Sequence, residues 1–297
     1  MYNPVLSELS LYGLVPLVVL DKVEDALPLA DAYIAGGLPV MEVTLRTEAG
    51  LACIREIAEK RNEIILGAGS ILTLEQCRAA VDAGAKFIVS PGFSSEIVGW
   101  CLENGVCVVP GCVTPTEIGQ ALASGIRTVK FFPAGIYGGL KAIAALEAPF
   151  HTESISFMPT GGVTYENLCD YASKSYIAAV GGSWLCHKKA VAAGCFDSIS
   201  DTTAKSVARL LGFTSPQNSE IDSFMLSEAF GISVDEVTND ARTVDGCAMV
   251  YTNNLDRAIF YLSRRGLATD PPHLIEGRRV ASLREKIANR KVCLVQK

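Results

Sequence analysis

The feature that most constrains this chain is an alternation. From residue 11 to about residue 213, short apolar runs rich in β-branched residues are separated by segments of helical periodicity, each roughly ten to fifteen residues long. The strand candidates are 15–20, 40–44, 64–68, 87–90, 106–110, 128–132, 156–159 and 177–180. Strands alternating with helices imply βα units and a parallel sheet. Eight such units in about 200 residues are the minimum for an α/β (β/α)₈ TIM barrel. An open doubly wound sheet is the rival architecture. No GxGxxG follows the first strand, which weighs against a dinucleotide-binding version of it.

Composition narrows the function classes. Of 297 residues, 49% are hydrophobic and 20% charged, enough apolar material to bury a large core. A formal net charge of −6 argues against a basic nucleic-acid surface. No apolar run reaches the roughly 18 residues of a membrane span. The apolar stretch 11–20 lacks a basic leader and a cleavage site, so a buried first strand is expected there rather than a signal peptide. The ten cysteines form no CxxC, and free thiols in a reducing cytoplasm are expected. His151, His187 and His273 lie far apart and suggest no metal site.

At Thr214-Ser215-Pro216-Gln217-Asn218-Ser219-Glu220 the chain turns polar. The expected division is a barrel over 1–213, a linker over 214–222, and a small α+β module over 223–297. Within the module, 221–230 has a helical pattern, 248–251 a strand pattern, 255–265 an amphipathic helical pattern, and 291–296 a closing strand pattern.

In a barrel, chemistry sits at the C-terminal ends of the strands. On the second strand, Glu42, Thr44 and Arg46 share one face and Met41, Val43 and Leu45 the other. A carboxylate inside a barrel strand is costly unless paired or needed. A Glu42–Arg46 ion pair closing the strand end is one reading of it. On the sixth strand, Lys130 has the parity of Thr128 and Phe132 and faces the lumen. Burial of a lysine is one route to the neutral amine that a Schiff-base nucleophile requires. A strand-end lysine reaching to water is the alternative. Gly161-Gly162 and Gly181-Gly182 follow the seventh and eighth strands, where barrels often bind phosphate through backbone N–H groups.

Glu42-Val43-Thr44-Leu45-Arg46-Thr47, Gly67-Ala68-Gly69-Ser70, Ser90-Pro91-Gly92, Lys130-Phe131-Phe132-Pro133-Ala134, Pro159-Thr160-Gly161-Gly162 and Gly181-Gly182-Ser183-Trp184 occur in that order. Together they resemble the class I aldolases acting on 2-keto-3-deoxy-6-phosphogluconate (KDPG) and 4-hydroxy-2-oxoglutarate (KHG). The resemblance spans residues 1 to about 213. It implies a (β/α)₈ barrel assembled as a homotrimer in the cytoplasm, a pyruvate-yielding lyase of Entner–Doudoroff type, no metal and no cofactor beyond the lysine imine. It implies that Lys130 forms the imine, that Glu42 is the acid/base and that Arg46 binds the substrate carboxylate. Ser70 stands where the family usually has threonine, and both keep the hydroxyl. Pro91 and Phe132 match pocket walls. Thr160, Gly161, Gly162, Gly182 and Ser183 match the loops on the carboxylate and phosphate sides. Gly135-Ile136-Tyr137 departs from the more polar residues usual there.

Two other functions stand beside this one: a phosphate-binding barrel of another class, such as an isomerase, and a non-catalytic sugar-acid-binding protein. Lys130 and Glu42 on lumen parity weigh against the first. The full set of catalytic residue types weighs against the second. The C-terminal stretch from Gly246 resembles one βαβββ module of the vicinal-oxygen-chelate superfamily. Cys247 stands where such modules often carry a metal-binding histidine, and no late glutamate ligand follows, so an accessory or assembly role is expected.

Overall fold

In the computed structural model, residues 3–216, 221–237 and 247–297 are described. They divide into two compact units, Met1–Asn167 with Lys174–Thr203, and Leu168–Ser173 with Ala204–Lys297.

The first unit holds eight parallel strands: β1 (Leu14–Val18), β2 (Val40–Thr44), β3 (Ile65–Gly69), β4 (Phe87–Val89), β5 (Cys107–Val109), β6 (Thr128–Phe131), β7 (Ser156–Pro159) and β8 (Val180–Gly182). Six form one sheet in the order β5-β4-β3-β2-β1-β8, and β6 pairs with β7. Parallel bridges close the ring, Gly111 to Lys130 on one side and Phe157 to Ile177 and Thr160 to Gly181 on the other. The barrel inferred from the alternation is the observed fold. Its strands are buried on both faces, as expected for a parallel sheet closed into a barrel.

The strand ends differ from the sequence reading in small ways. The eighth strand lies later than expected, because Gly181 and Gly182 pair with Val15 and Pro16 of β1. A helix, Pro4–Tyr12, precedes β1; Asn3 caps it and Gly13 ends it in the left-handed region. The apolar run at 11–20 therefore straddles a helix end and a strand, because its first residues complete a helix already begun at Pro4.

Three successive helices begin with a side-chain cap directly after their strands. Thr73 accepts from Gln76 N, Ser94 from Ile97 N, and Thr114 forms a capping box with Glu117. These caps fix where each chain leaves the barrel rim, and so fix the loops that follow β3, β4 and β5.

The second unit is a six-stranded sheet built from β9 (Thr214–Pro216), β10 (Asp235–Val237), β11 (Ala248–Thr252), β12 (His273–Ile275), β13 (Arg278–Ser282) and β14 (Val292–Gln296), ordered β10-β9-β11-β14-β13-β12. From β11 onward the order is strand, helix (Leu255–Ser263) and three strands, the expected βαβββ succession. The expected linker does not hold at its start. Residues 214–216 are a strand paired with both β10 and β11, and residues 217–220 lie outside the described residues. The boundary between units falls inside the helix Phe196–Leu211. The short helix Leu168–Ala172, read in sequence as a barrel element, belongs to the second unit. There Arg257, buried and with its pKa lowered to about 10 by desolvation, donates to Ala172 O at 3.3 Å.

Candidate active site

Lys130 and Glu42 are 88 residues apart in sequence and meet inside the barrel. β6 carries Lys130 and β2 carries Glu42. Lys130 Nζ lies 3.4 Å from Glu42 Oε1, and the two residues are only 4% and 0% exposed. The snorkelling alternative for Lys130 is thereby excluded. Arg46 turns to Ser70 instead, donating from Nε to Oγ at 2.9 Å, so the closing Glu42–Arg46 pair is not the arrangement adopted.

Two features set this pair apart from an ordinary structural ion pair. Oε2 of Glu42 is buried and makes no hydrogen bond. A buried acceptor without a donor is costly, and native cores seldom retain one without reason. The ammonium of Lys130 also stands 5.4 Å from the ring centroid of Phe132, within cation–π range. The site thus holds a buried lysine nitrogen beside a buried carboxylate, one of whose oxygens has no hydrogen-bond donor.

The remaining sequence-predicted residues collect at the C-terminal rim. Arg46 follows β2 and is exposed; Ser70 follows β3, half-buried and in the left-handed region at φ 59°. Pro91 follows β4 and is exposed, while Phe132 follows β6 and is half-buried. Thr160 is buried directly after β7, and Gly181 of β8 is bare because a Cβ there would stand 2.2 Å from Thr160 Oγ1. Gly161 and Gly162 have φ of 79° and 84°. They lie against the loop after β6, whose Ala134 and Gly135 N–H groups donate to Thr160 O and Gly161 O at 2.8 Å. Gly182 ends β8 and is buried; Ser183 is exposed beside it. These nine predicted residues therefore lie at strand C-terminal ends or just beyond, on the face where barrels place their sites, while Glu42 and Lys130 lie within β2 and β6.

Sequence reasoning missed Gly69. A Cβ at that position would stand 2.0 Å from Glu42 Oε1. The available signal was a glycine on lumen parity with Gly67 near a strand end, which marks close approach of another group. Among the described residues, no cluster of three or more His, Cys, Asp and Glu side chains gathers as metal ligands would. No helix of the described residues is long and apolar enough to cross a membrane.

Comparison with known proteins bears on this geometry. A family model described as KDPG and KHG aldolase matches residues 5–202. The 2-dehydro-3-deoxy-phosphogluconate aldolase of Treponema pallidum is 44% identical over 185 residues, covering 62% of this chain and 87% of that protein. The KHG/KDPG aldolase of Escherichia coli (strain K12) is 39% identical over 193 residues, covering 65% of this chain and 90% of that one. Among solved structures, a KDPG aldolase from Legionella pneumophila, with pyruvate captured as a covalent carbinolamine intermediate, superposes with a TM-score of 0.64 at 32% identity. That match covers 67% of this chain and 95% of the other.

Proposed function

The chain belongs to the KDPG and KHG aldolase family, and from that premise we propose that Lys130 and Glu42 carry out class I aldol cleavage of KDPG, KHG or both. The observation that carries the assignment of residues is the buried Nζ–Oε1 approach of 3.4 Å beside an unpartnered Oε2.

The steps follow from that pairing. The Lys130 amine adds to C2 of the keto acid, and loss of water leaves a protonated imine adjacent to the bond to be broken. Glu42 accepts the C4 hydroxyl proton, directly or through a water. The C3–C4 bond breaks, its electron pair flows into the imine, and an aldehyde leaves: glyceraldehyde 3-phosphate from KDPG, glyoxylate from KHG. The enamine that remains takes a proton at C3. Hydrolysis then frees pyruvate and restores the amine. The imine itself is the electron sink, so this scheme assigns no role to a metal.

Binding roles follow from position. Arg46, anchored by Ser70, neutralises the substrate carboxylate and orients it. Pro91 and Phe132 wall the pocket. Thr160, Gly161, Gly162, Gly182 and Ser183 present hydroxyl and backbone groups to the far end of the substrate, where either a phosphate or a carboxylate is received. A homotrimer acting on small keto acids in the cytoplasm is the assembly and setting proposed, with the C-terminal βαβββ module in an accessory or assembly role.

Borohydride reduction in the presence of pyruvate, followed by peptide mass mapping, tests the assignment. A pyruvate adduct on the peptide bearing Lys130 is expected. A folded protein that yields no adduct overturns the imine mechanism. Cleavage rates measured on KDPG and KHG then rank the two substrates.

A further inference from the structure

Glu42 owes its position to a residue with no side chain. Strand β3 reads Ile65-Leu66-Gly67-Ala68-Gly69, with glycine twice on one parity. Glycine weakens a strand interior, and there it marks a close approach of some other group. Neither glycine has a left-handed φ, so backbone conformation does not demand it at either place. Space does. At Gly67 a Cβ would stand 2.2 Å from the Phe87 ring, which is a matter of core packing. At Gly69 it would stand 2.0 Å from Oε1, 2.7 Å from Cδ and 2.8 Å from Cγ of Glu42. Cγ, Cδ and Oε1 of the glutamate occupy the space that a side chain at position 69 would take.

We infer that Gly69 is the positioning residue of Glu42, a seat that holds the carboxylate against Lys130; this rests on the proposed reading of Glu42 as the proton-transfer group. The register supports it. Gly69 is the partner of Thr44 on β2, so it lies two residues along from the position facing Glu42 itself, Gly67, and under the side chain as it leans toward the rim. Glu42 has little room to yield. It is 0% exposed and Lys130 Nζ stands 3.4 Å from the same Oε1. A methyl group at position 69 would have to push Oε1 from 2.0 Å to an ordinary contact of about 3.4 Å. That is a displacement of over an ångström at an atom whose placement sets the reaction geometry. The next residue, Ser70, receives Arg46, so one dipeptide at the end of β3 seats both functional side chains supplied by β2 and the loop after it.

The test is Gly69→Ala. A misplacement of about 1 Å can cost roughly 100-fold in rate, so kcat is expected to fall by about that factor while KM stays within about threefold. Borohydride trapping of pyruvate at equilibrium is expected to persist, because Lys130 remains. Thermal midpoints supply a second readout: Gly69→Ala lowers the midpoint in the natural background and not in a Glu42→Ala background, where nothing occupies the seat. An unchanged kcat overturns the inference, as does an equal loss of midpoint in both backgrounds, since the glycine would then serve the strand alone. If Gly69→Ala fails to fold, recovery of folded protein in the double variant supports the seat, and failure of both overturns it. Glu42→Gln separates the two readings. A natural kcat in that variant removes the proton-transfer role and this inference with it, whereas its loss beside an unchanged Gly69→Ala overturns the inference alone.

Discussion

Replacing Lys130 by Met and Glu42 by Leu together is expected to give a barrel more stable than the natural one and without aldolase activity. The magnitude follows from the site. At 3.4 Å and an effective dielectric of about 20, the attraction between the two charges is about 5 kcal/mol. Withdrawing them from water costs several kcal/mol for each ion. Excellent geometry and further hydrogen bonds could offset that, but the 3.4 Å contact is long and Oε2 has no donor. The Phe132 ring contributes on the order of 0.5–2 kcal/mol. The balance lies near or below zero, and apolar replacement of a buried pair typically stabilises by about 1–4 kcal/mol. For a unit of this size each kcal/mol raises the midpoint by roughly 2–4 °C. Lys130→Met alone behaves oppositely: it leaves a buried carboxylate without its partner and costs about 3–5 kcal/mol. Urea and thermal unfolding of the two variants beside the natural protein measure both changes, with equal denaturant slopes as the check that stability alone has moved. A double variant that is less stable than the natural protein would refute the reasoning. It would mean that the pair is a net structural asset instead of a functional cost borne by the fold.

Three more expectations come from single contacts. Ser70→Gly removes the hydroxyl that receives Arg46 while easing a left-handed backbone, so steady-state kinetics should show KM for the keto acid raised about tenfold with no fall in thermal midpoint. A lowered midpoint with an unchanged KM would place Ser70 in the scaffold instead. Phe157→Ala empties a fully buried site on the face of β7 opposite to the lumen, beside Phe131, whose ring centroid lies 6.4 Å away edge-on, and should cost about 3–5 kcal/mol in urea unfolding; a loss under 1 kcal/mol would mean that the surrounding side chains close over the gap. In thiol titration Cys195, the exposed cysteine, should react fast. Cys77 and Cys101, buried with their sulfurs 3.5 Å apart, should stay silent until the protein unfolds, and prompt labelling of that pair would show that the two helices bearing them open readily.

Much of the site was legible because it is written in parity. Lys130 and Glu42 each interrupt an apolar strand on the face that lacks helix-packing residues, and a charged residue in such a place needs a reason. The glycine pairs after β7 and at the end of β8 were visible for a similar reason, since consecutive glycines at a strand end mark an unusual backbone or a close neighbour. Less legible were the features that depend on what lies across the barrel. Nothing local in Gly-Ala-Gly distinguishes Gly67, which makes way for Phe87, from Gly69, which makes way for Glu42. The division of the chain also escaped local reading. Polar composition at 214–220 points to a linker, yet 214–216 finds strand partners at 235–237 and 251. The unit boundary lies inside a helix whose own periodicity runs through it.

The sequence by itself determined the βα alternation, the face each strand residue presents and the two charged residues that the barrel buries. Period and residue type are local properties, and they survive without knowledge of any partner. The tertiary structure decided which partners those residues meet. Ring closure between β5 and β6 and between β7 and β8, together with the β2–β3 register, brings Lys130 within 3.4 Å of Glu42, turns Arg46 to Ser70 and lays Glu42 on Gly69. Such distances depend on hydrogen-bond ladders and packing between segments far apart in the chain, and no local pattern encodes them.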